Sequence, residues 1–130
     1  MPRVRLSDNG FTLIEVVVSI LILVVGMLGL LGTINVAIQH NMMNQLRNEA
    51  TRVADAEMAR EMGKGFNNVS TTPANFVRTR QFMLGSINFQ VNRAGNTLAN
   101  SKWVSYTVTW GYKKAQYNTT ISSVISPPPQ

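Results

Sequence analysis

The 130-residue sequence contains no cysteine, a single histidine, His40, and no acidic residue after Glu61. Without cysteine the chain has no disulfide framework, no thiolate metal site and no cysteine nucleophile, and its redox compartment stays undetermined. His40 lies on a polar stretch of a predicted helix with few acids nearby, which excludes a Ser-His-Asp set and disfavours a metal centre. No glycine-rich phosphate loop is present either. We therefore expect a protein that is not an enzyme and that holds no metal and no cofactor.

Charged side chains are also missing from a long stretch near the N-terminus. Glu15 is the only charged residue in the range 11–46, and residues 16–34 contain just two polar side chains, Ser19 and Thr33. As a helix, residues 16–34 would be roughly 28 Å long, which nearly crosses the hydrocarbon core of a bilayer. The sequence therefore predicts one transmembrane helix.

The distribution of positive charge predicts the orientation of this helix. Arg3 and Arg5 precede the apolar run, and the first positive residue beyond it is Arg47. Because positive residues are retained on the cytoplasmic side, we expect a cytoplasmic N-terminus and a C-terminal part outside the cytoplasm.

A secretory signal peptide is an alternative interpretation, since it also has a basic start and an apolar stretch. Its apolar region is usually about 7–15 residues and ends at a cleavage site of small residues. Here the run is longer, and residues 33–37 offer no such site. The small residue at a polar-to-apolar junction is Gly10, before the run.

The junction itself, residues 10–15 with the sequence GFTLIE, resembles the class III signal of type IV pilins and of type II secretion pseudopilins. In that family a prepilin peptidase on the cytoplasmic side cuts after the glycine and methylates the new N-terminal phenylalanine. The resemblance therefore implies cleavage between Gly10 and Phe11 and N-methylation of Phe11. Over residues 10–35 the chain most resembles minor pilins of the PilV, pilus-modification type.

Glu15 is unusual because a carboxylate at the centre of a membrane helix costs about 2.5–3.5 kcal/mol. It lies four residues after Phe11, so an amine freed by cleavage would share its helix face and could pair with it. The family resemblance implies instead that Glu15 meets the terminal amine of a neighbouring subunit during assembly. A third interpretation places Glu15 at the membrane interface, with its carboxylate in headgroup water.

Three glycines, Gly26, Gly29 and Gly32, form a small-residue stripe on the same helix. One interpretation is close packing against neighbouring helices, because small residues let backbones approach. The family resemblance supports another, in which this segment stretches or unwinds within a fibre. No proline occurs between Pro2 and Pro73, so a strong fixed kink is not expected.

Beyond residue 34 the pattern becomes amphipathic, and the helix is predicted to run to about Met62. Its apolar stripe is suited to lie on a small sheet. The stripe comprises Ile38, Met42, Leu46, Ala50, Val53 and Ala54.

Three segments alternate apolar and polar residues as strands do: 87–91, 104–110 and 117–123. Turns are predicted at 93–96 and 111–114. Trp110 is expected in the core and Trp103 near the surface. The expected fold is α+β and pilin-like, with one long N-terminal helix on an antiparallel sheet of three to four strands.

Seven basic residues and no acid occur in residues 62–130, which gives +7, whereas residues 11–61 carry three arginines and five acids, which gives −2. Such a basic region is either a solvated face, a surface that attracts acidic helices of other subunits, or a binding site for DNA phosphates. The candidate anion-binding residues are Arg78, Arg80, Arg93, Lys102, Lys113 and Lys114.

The resemblance and the patterns together give a domain organisation. It consists of a cytoplasmic leader (1–10), a transmembrane and assembly half of the helix (11–34) and an extracytoplasmic head (35–130); the head comprises the rest of the helix (35–62), a loop (63–81) and a sheet (82–126).

The expected function is that of a minor type IV pilin, stored in the inner membrane and acting in pilus priming or a tip complex at the cell surface. Expected partners are the prepilin peptidase, other major and minor pilins, and membrane lipid; DNA is a further candidate. A type II secretion pseudopilin and a single-pass, membrane-anchored, DNA-binding module are the alternatives.

Overall fold

The fold was analysed in a computed structural model that describes residues 10–82 and 85–129. Most of the predicted leader, including Arg3 and Arg5, lies outside these residues. The elements are α1 (Leu13–Met62), a short 3₁₀ helix (Phe66–Asn68), β1 (Ala74–Phe82), β2 (Gly85–Thr97), β3 (Lys102–Tyr112) and β4 (Ala115–Ile125). The predicted α+β, pilin-like architecture is confirmed.

Although α1 is continuous, the chain divides into two compact units between Asn41 and Met42. In the first unit residues 16–34 of the helix are apolar on nearly all sides, and their large side chains are exposed. In the second unit, residues 42–62 of α1 pack on the sheet.

The sheet is an antiparallel meander in the order β1-β2-β3-β4. The β2–β3 connection is closed by the Leu98 amide, which donates to the Ser101 carbonyl at 2.8 Å. Lys113 and Lys114 connect β3 to β4 with φ angles of 48° and 65°. Two left-handed residues in a row are typical of the tight hairpin turn that matches the twist of its strands.

One face of the sheet covers the predicted helix stripe and forms the core. From the helix, Leu46, Ala50, Val53 and Ala54 are buried, as predicted, and Met42 is half-buried; Ile38, in the first unit, is exposed. The sheet contributes Phe89, Val91, Val104, Tyr106, Val108 and Trp110. The prediction for the two tryptophans is also confirmed, because Trp110 is 2% exposed and Trp103 is 37% exposed.

The predicted loop over residues 63–81 is wrong from residue 74 onward, where the chain forms β1 and extends the sheet. Arg78 and Arg80 occupy the positions of β1 that face the helix, with Phe76 and Phe82 on the same side. Charged residues at inward positions hid the strand alternation. Their guanidinium groups are accommodated because they pair with carboxylates of α1.

The predicted turn at residues 93–96 is also wrong, since these residues continue β2. Gly95 is needed there for a close approach rather than for a turn. A Cβ atom at Gly95 would lie 2.8 Å from Thr71 Cα and 2.9 Å from the Trp103 carbonyl oxygen. The segment around Thr71 therefore runs directly against the backbone of β2.

Replacing Gly95 with alanine should destabilise the protein by about 1–3 kcal/mol, because the added methyl group meets backbone atoms that cannot move aside cheaply. Thermal unfolding of the full chain in detergent, followed by circular dichroism, measures this. The control is Gly111→Ala in β3, where the nearest atom to the new Cβ is 4.0 Å away. Equal melting temperatures for the two variants would contradict the close approach at Gly95.

Candidate functional site

The start of α1 is fixed by a local cap. The Glu15 amide donates to the Thr12 carbonyl at 3.1 Å and to Thr12 Oγ1 at 3.3 Å, and the Val16 amide donates to the same carbonyl at 3.2 Å. A threonine followed three residues later by glutamate is the sequence pattern of a capping box. Thr12 was not singled out from the sequence, although this pattern would have identified it.

Gly10 and Phe11 precede the first helical residue and lie in exposed, non-helical backbone. The Phe11 side chain projects into solvent, with the residue 82% exposed. A peptidase needs an accessible bond, and the bond between Gly10 and Phe11 is exposed and lies outside the helix. Cleavage and methylation at this bond stay predictions from the sequence.

Glu15 occupies the first turn of α1 and is exposed. A negative charge is favourable there because the unpaired amides of a helix N-terminus carry partial positive charge. Within residues 10–82 and 85–129, Glu15 makes no ion pair. The three interpretations of its role, an internal pair, a pair with a neighbouring subunit and an interfacial position, therefore remain open.

The helix after Glu15 has the properties of a membrane span. It is long and apolar enough to cross a bilayer, and none of its most apolar window is buried within the chain. Its polar side chains are satisfied internally: Ser19 Oγ donates to the Glu15 carbonyl at 2.7 Å and Thr33 Oγ1 to the Leu30 carbonyl at 2.8 Å. Such bonds remove the cost of placing a hydroxyl group in hydrocarbon.

The glycine stripe has open space around it. A Cβ atom added at Gly26, Gly29 or Gly32 would meet nothing within 4 Å. No close contact inside the chain therefore requires glycine at these positions. Packing against other helices and stretching in a fibre both remain predictions.

Three of the six candidate anion-binding residues, Arg78, Arg80 and Arg93, pair with glutamates in the second half of α1. Arg78 Nε donates to Glu57 Oε1 at 2.8 Å, and Arg80 Nε lies 3.0 Å from Glu49 Oε1. Glu57 is only 7% exposed and also receives a hydrogen bond from Arg60 at 3.2 Å. Arg78 and Arg80 thus attach β1 to the helix.

Arg93 belongs to a network around Glu61, which is 2% exposed near the end of α1. Glu61 accepts hydrogen bonds from the Ser70 amide at 2.7 Å, Lys64 Nζ at 2.8 Å, the Tyr106 hydroxyl at 3.2 Å and Arg93 Nη1 at 3.3 Å. The helix end, the following loop and strands β2 and β3 thus meet at one carboxylate.

The surroundings of Glu61 shift its titration. Burial raises the pKa of Glu61, but the hydrogen bonds from Lys64 and Ser70 and the charges of Lys64 and Arg93 outweigh it, so that the pKa lies below its ordinary value. The pKa of Tyr106 is raised above its ordinary value. Burial and the nearby Glu61 charge raise this pKa by more than Arg93 lowers it. In this pair Glu61 is therefore the charged hydrogen-bond acceptor, and Tyr106 is the neutral donor.

Lys102 has a different partner, the backbone of the short 3₁₀ segment. Its Nζ donates to the carbonyl groups of Phe66 at 2.8 Å, Val69 at 3.0 Å and Asn67 at 3.2 Å. An ammonium group has three donors. Three carbonyl groups therefore use its full capacity.

Four of the six candidate cations thus have partners within the chain. Lys113 and Lys114 are exposed together at the β3–β4 turn and make no ion pair with any described residue. Among the described residues, no group of three histidine, aspartate or glutamate side chains could hold a metal ion. The predicted anion-binding role stays a prediction, with Lys113 and Lys114 as its most accessible members.

Comparison with known families gives one match. Residues 5–31 match the family model described as the prokaryotic N-terminal methylation motif. The match spans the Gly10-Phe11 junction, Glu15 and most of the apolar run. No curated protein and no solved structure matches the chain.

The methylation motif supports a type IV pilin-like or pseudopilin-like protein. It implies processing by a prepilin peptidase and association with other pilins. Proteins with this motif are generally structural rather than enzymatic. The apolar helix and the motif together fit membrane anchoring.

The Glu61 network predicts a stability that depends on pH. Because the pKa of Glu61 is lowered by folding, its contribution is present above the ordinary glutamate pKa, about 4.3, and is lost as the pH falls through the lowered value. Glu61→Gln should cost about 1–3 kcal/mol at pH 7, since it removes the charged acceptor of the partly buried Arg93 and of the Tyr106 hydroxyl, and it should flatten the acid dependence.

Chemical denaturation of the full chain in detergent between pH 3 and pH 7 measures this dependence. The control is Asp55→Asn on the exposed side of the same helix, which should keep the wild-type profile. Parallel pH profiles for wild type and Glu61→Gln would show that Glu61 does not control the acid dependence.

Lys102→Met should destabilise the protein by about 1–3 kcal/mol, because the carbonyl groups of residues 66, 67 and 69 lose their donor. The control is the same change at the exposed turn, Lys113→Met, which should leave the melting temperature almost unchanged. A Lys102→Met variant that melts with the wild type would exclude a role for this ammonium group in holding the 3₁₀ segment.

Proposed function

We propose that this chain is a minor subunit of a type IV pilus, stored in the inner membrane after cleavage between Gly10 and Phe11. It acts in the initiation of pilus assembly or in a tip complex. Its partners are the prepilin peptidase, membrane lipid before assembly, and other pilins afterwards.

The observation that carries this proposal is the uncovered apolar surface of the first unit. Leu21, Val25 and Leu28 are 62–64% exposed, and the neighbouring large side chains are similarly open. A continuous apolar surface of this kind needs lipid or other apolar helices around it. The methylation motif at the start of this surface supports two successive surroundings, first the lipid of the membrane and then the helices of a filament.

Glu15 makes the packing of the helix within a filament specific. It lies in the first turn of the helix, and its carboxylate has no cationic partner among the described residues. A free amine on Phe11 of another subunit would neutralise it within an apolar filament core. Assembly in register follows, because Glu15 is the only charged residue in the range 11–46.

The minor-pilin role itself is supported by the resemblance of residues 10–35 to the PilV type. A type II secretion pseudopilin is the alternative that shares every feature of the first unit. A membrane-anchored DNA-binding module has less support, because Arg78, Arg80, Arg93 and Lys102 already have partners inside the chain. Deletion of the gene distinguishes the first two, by loss of surface pili or by loss of protein secretion.

Glu15→Ala should be cleaved and methylated normally but should enter filaments at least tenfold less than the wild type. Sheared filaments and membranes are compared by quantitative immunoblotting, and the N-terminus is identified by mass spectrometry. Glu15→Gln tests charge without a change of size and should share the defect. Asp55→Ala, an exposed acid in the second unit, is the control and should be incorporated normally.

Normal incorporation of Glu15→Ala would overturn the role of Glu15 in assembly. An intact leader, or a mature N-terminus that is not N-methylated Phe11, would overturn the proposal as a whole.

A further inference from the structure

The face of the sheet that points away from α1 is lined by amide and hydroxyl side chains. Strand alternation and the register place every second residue of each strand on this face. Its residues are Asn75, Val77, Thr79 and Gln81 of β1; Ser86, Asn88, Gln90, Asn92, Ala94 and Asn96 of β2; Trp103, Ser105, Thr107, Thr109 and Gly111 of β3; and Gln116, Asn118, Thr120, Ser122 and Val124 of β4. We call this surface the outer face.

The outer face carries no charged residue in the described strands, although residues 62–130 hold seven cations and no acid. The four cations within the strands occupy positions facing the helix, and the other three lie in loops or turns. A surface without charge is complementary to an uncharged partner. It has no cation that could pair with the anionic groups of a polyanion.

An open cavity of about 420 Å³ lies on this face across β1, β2 and β3. Its lining includes Asn75, Val77, Gln90, Asn92 and Thr109 of the outer face, together with Phe76 and Val91. Its size lies within the range of small-ligand sites. None of its three amides makes a side-chain hydrogen bond with another described residue, so each offers two donors and an acceptor to a ligand.

The neighbouring side chains on the outer face are held in place. Thr79 Oγ1 donates to Asn88 Oδ1 at 2.8 Å, and the hydroxyl groups of Thr107 and Thr120 are 2.9 Å apart. Such cross-strand pairs fix rotamers on both sides of the cavity. A surface ordered in advance loses less entropy when it binds.

Trp103 adds an aromatic platform to the same face. It pairs with Asn96, four residues along β2 from Asn92, which corresponds to about 13 Å. An indole presents a flat apolar surface that suits the C–H face of a ring, whereas the amides suit hydroxyl groups. This distance between the amides and the indole suits an extended oligomer of several rings better than one small molecule.

We propose that the outer face binds a neutral polysaccharide, with hydroxyl groups held by Asn75, Gln90 and Asn92 and a ring stacked on Trp103. Sugar hydroxyl groups both donate and accept, as amides do, and sheet faces bind oligosaccharides in other folds. Docking of a second protein is less favoured, because the large exposed apolar residues on this face are only Val77, Trp103 and Val124. This binding does not depend on the proposed role in a pilus.

The test is cosedimentation of the full chain with insoluble cellulose, chitin and starch, in a detergent without a sugar headgroup. Phosphocellulose is the matched anionic polymer. We expect binding to at least one neutral polymer that is the same at 50 and 500 mM NaCl, because no counterions are released. Binding to phosphocellulose should fall steeply with salt.

Gln90→Ala/Asn92→Ala and Trp103→Ala should each weaken binding to the neutral polymer at least tenfold while keeping the wild-type melting temperature. If Trp103→Ala does not fold, Asn92→Asp, which places one charge on the exposed face, should give the same loss. Lys113→Asn/Lys114→Asn is the control and should bind the neutral polymer as the wild type does, since asparagine tolerates the left-handed turn.

No binding to any of the three neutral polymers would overturn the proposal. Wild-type binding by the outer-face variants would also overturn it, as would binding to phosphocellulose alone.

Discussion

The carboxylates on the second half of α1 determine how the sheet is attached and how its charge is distributed. A buried carboxylate is costly unless cations and hydrogen-bond donors surround it. Glu57 and Glu61 meet this requirement through Arg78 of β1 and Arg93 of β2, and Glu61 adds the Tyr106 hydroxyl of β3. The helix therefore fixes three strands at once, through contacts that specify register more narrowly than the apolar core can.

These contacts also change the interpretation of the positive charge in residues 62–130. The sequence shows seven cations and no acid after residue 61, which points to an external anion or an acidic neighbour. In the structure Arg78, Arg80 and Arg93 face acids of their own helix, and Lys102 holds three backbone carbonyl groups. Much of the positive charge is thus paired within the chain. The acids that balance it lie earlier in the sequence, on α1.

The long helix, three of the four strands and the core tryptophan could be predicted because each depends on a pattern of near neighbours. β1 could not, because Arg78 at an inward position breaks the apolar alternation, and its partner Glu57 is 21 residues away. From sequence alone Gly95 indicates a turn, because the segment that approaches it, around Thr71, is likewise distant in sequence. The errors share one cause, which is a polar or small residue whose partner is remote.

The same distinction separates the two candidate sites. The Gly10-Phe11 junction, the Thr12 cap and Glu15 occupy six consecutive residues, so sequence alone reveals them. The cavity on the outer face unites Asn75, Gln90 and Thr109 from three strands, and only the register shows that they meet. Yet both faces of the sheet follow from one requirement. Three strand cations pair with the carboxylates of α1 and Lys102 is held by loop carbonyl groups, so the outward positions of the described strands carry no charge.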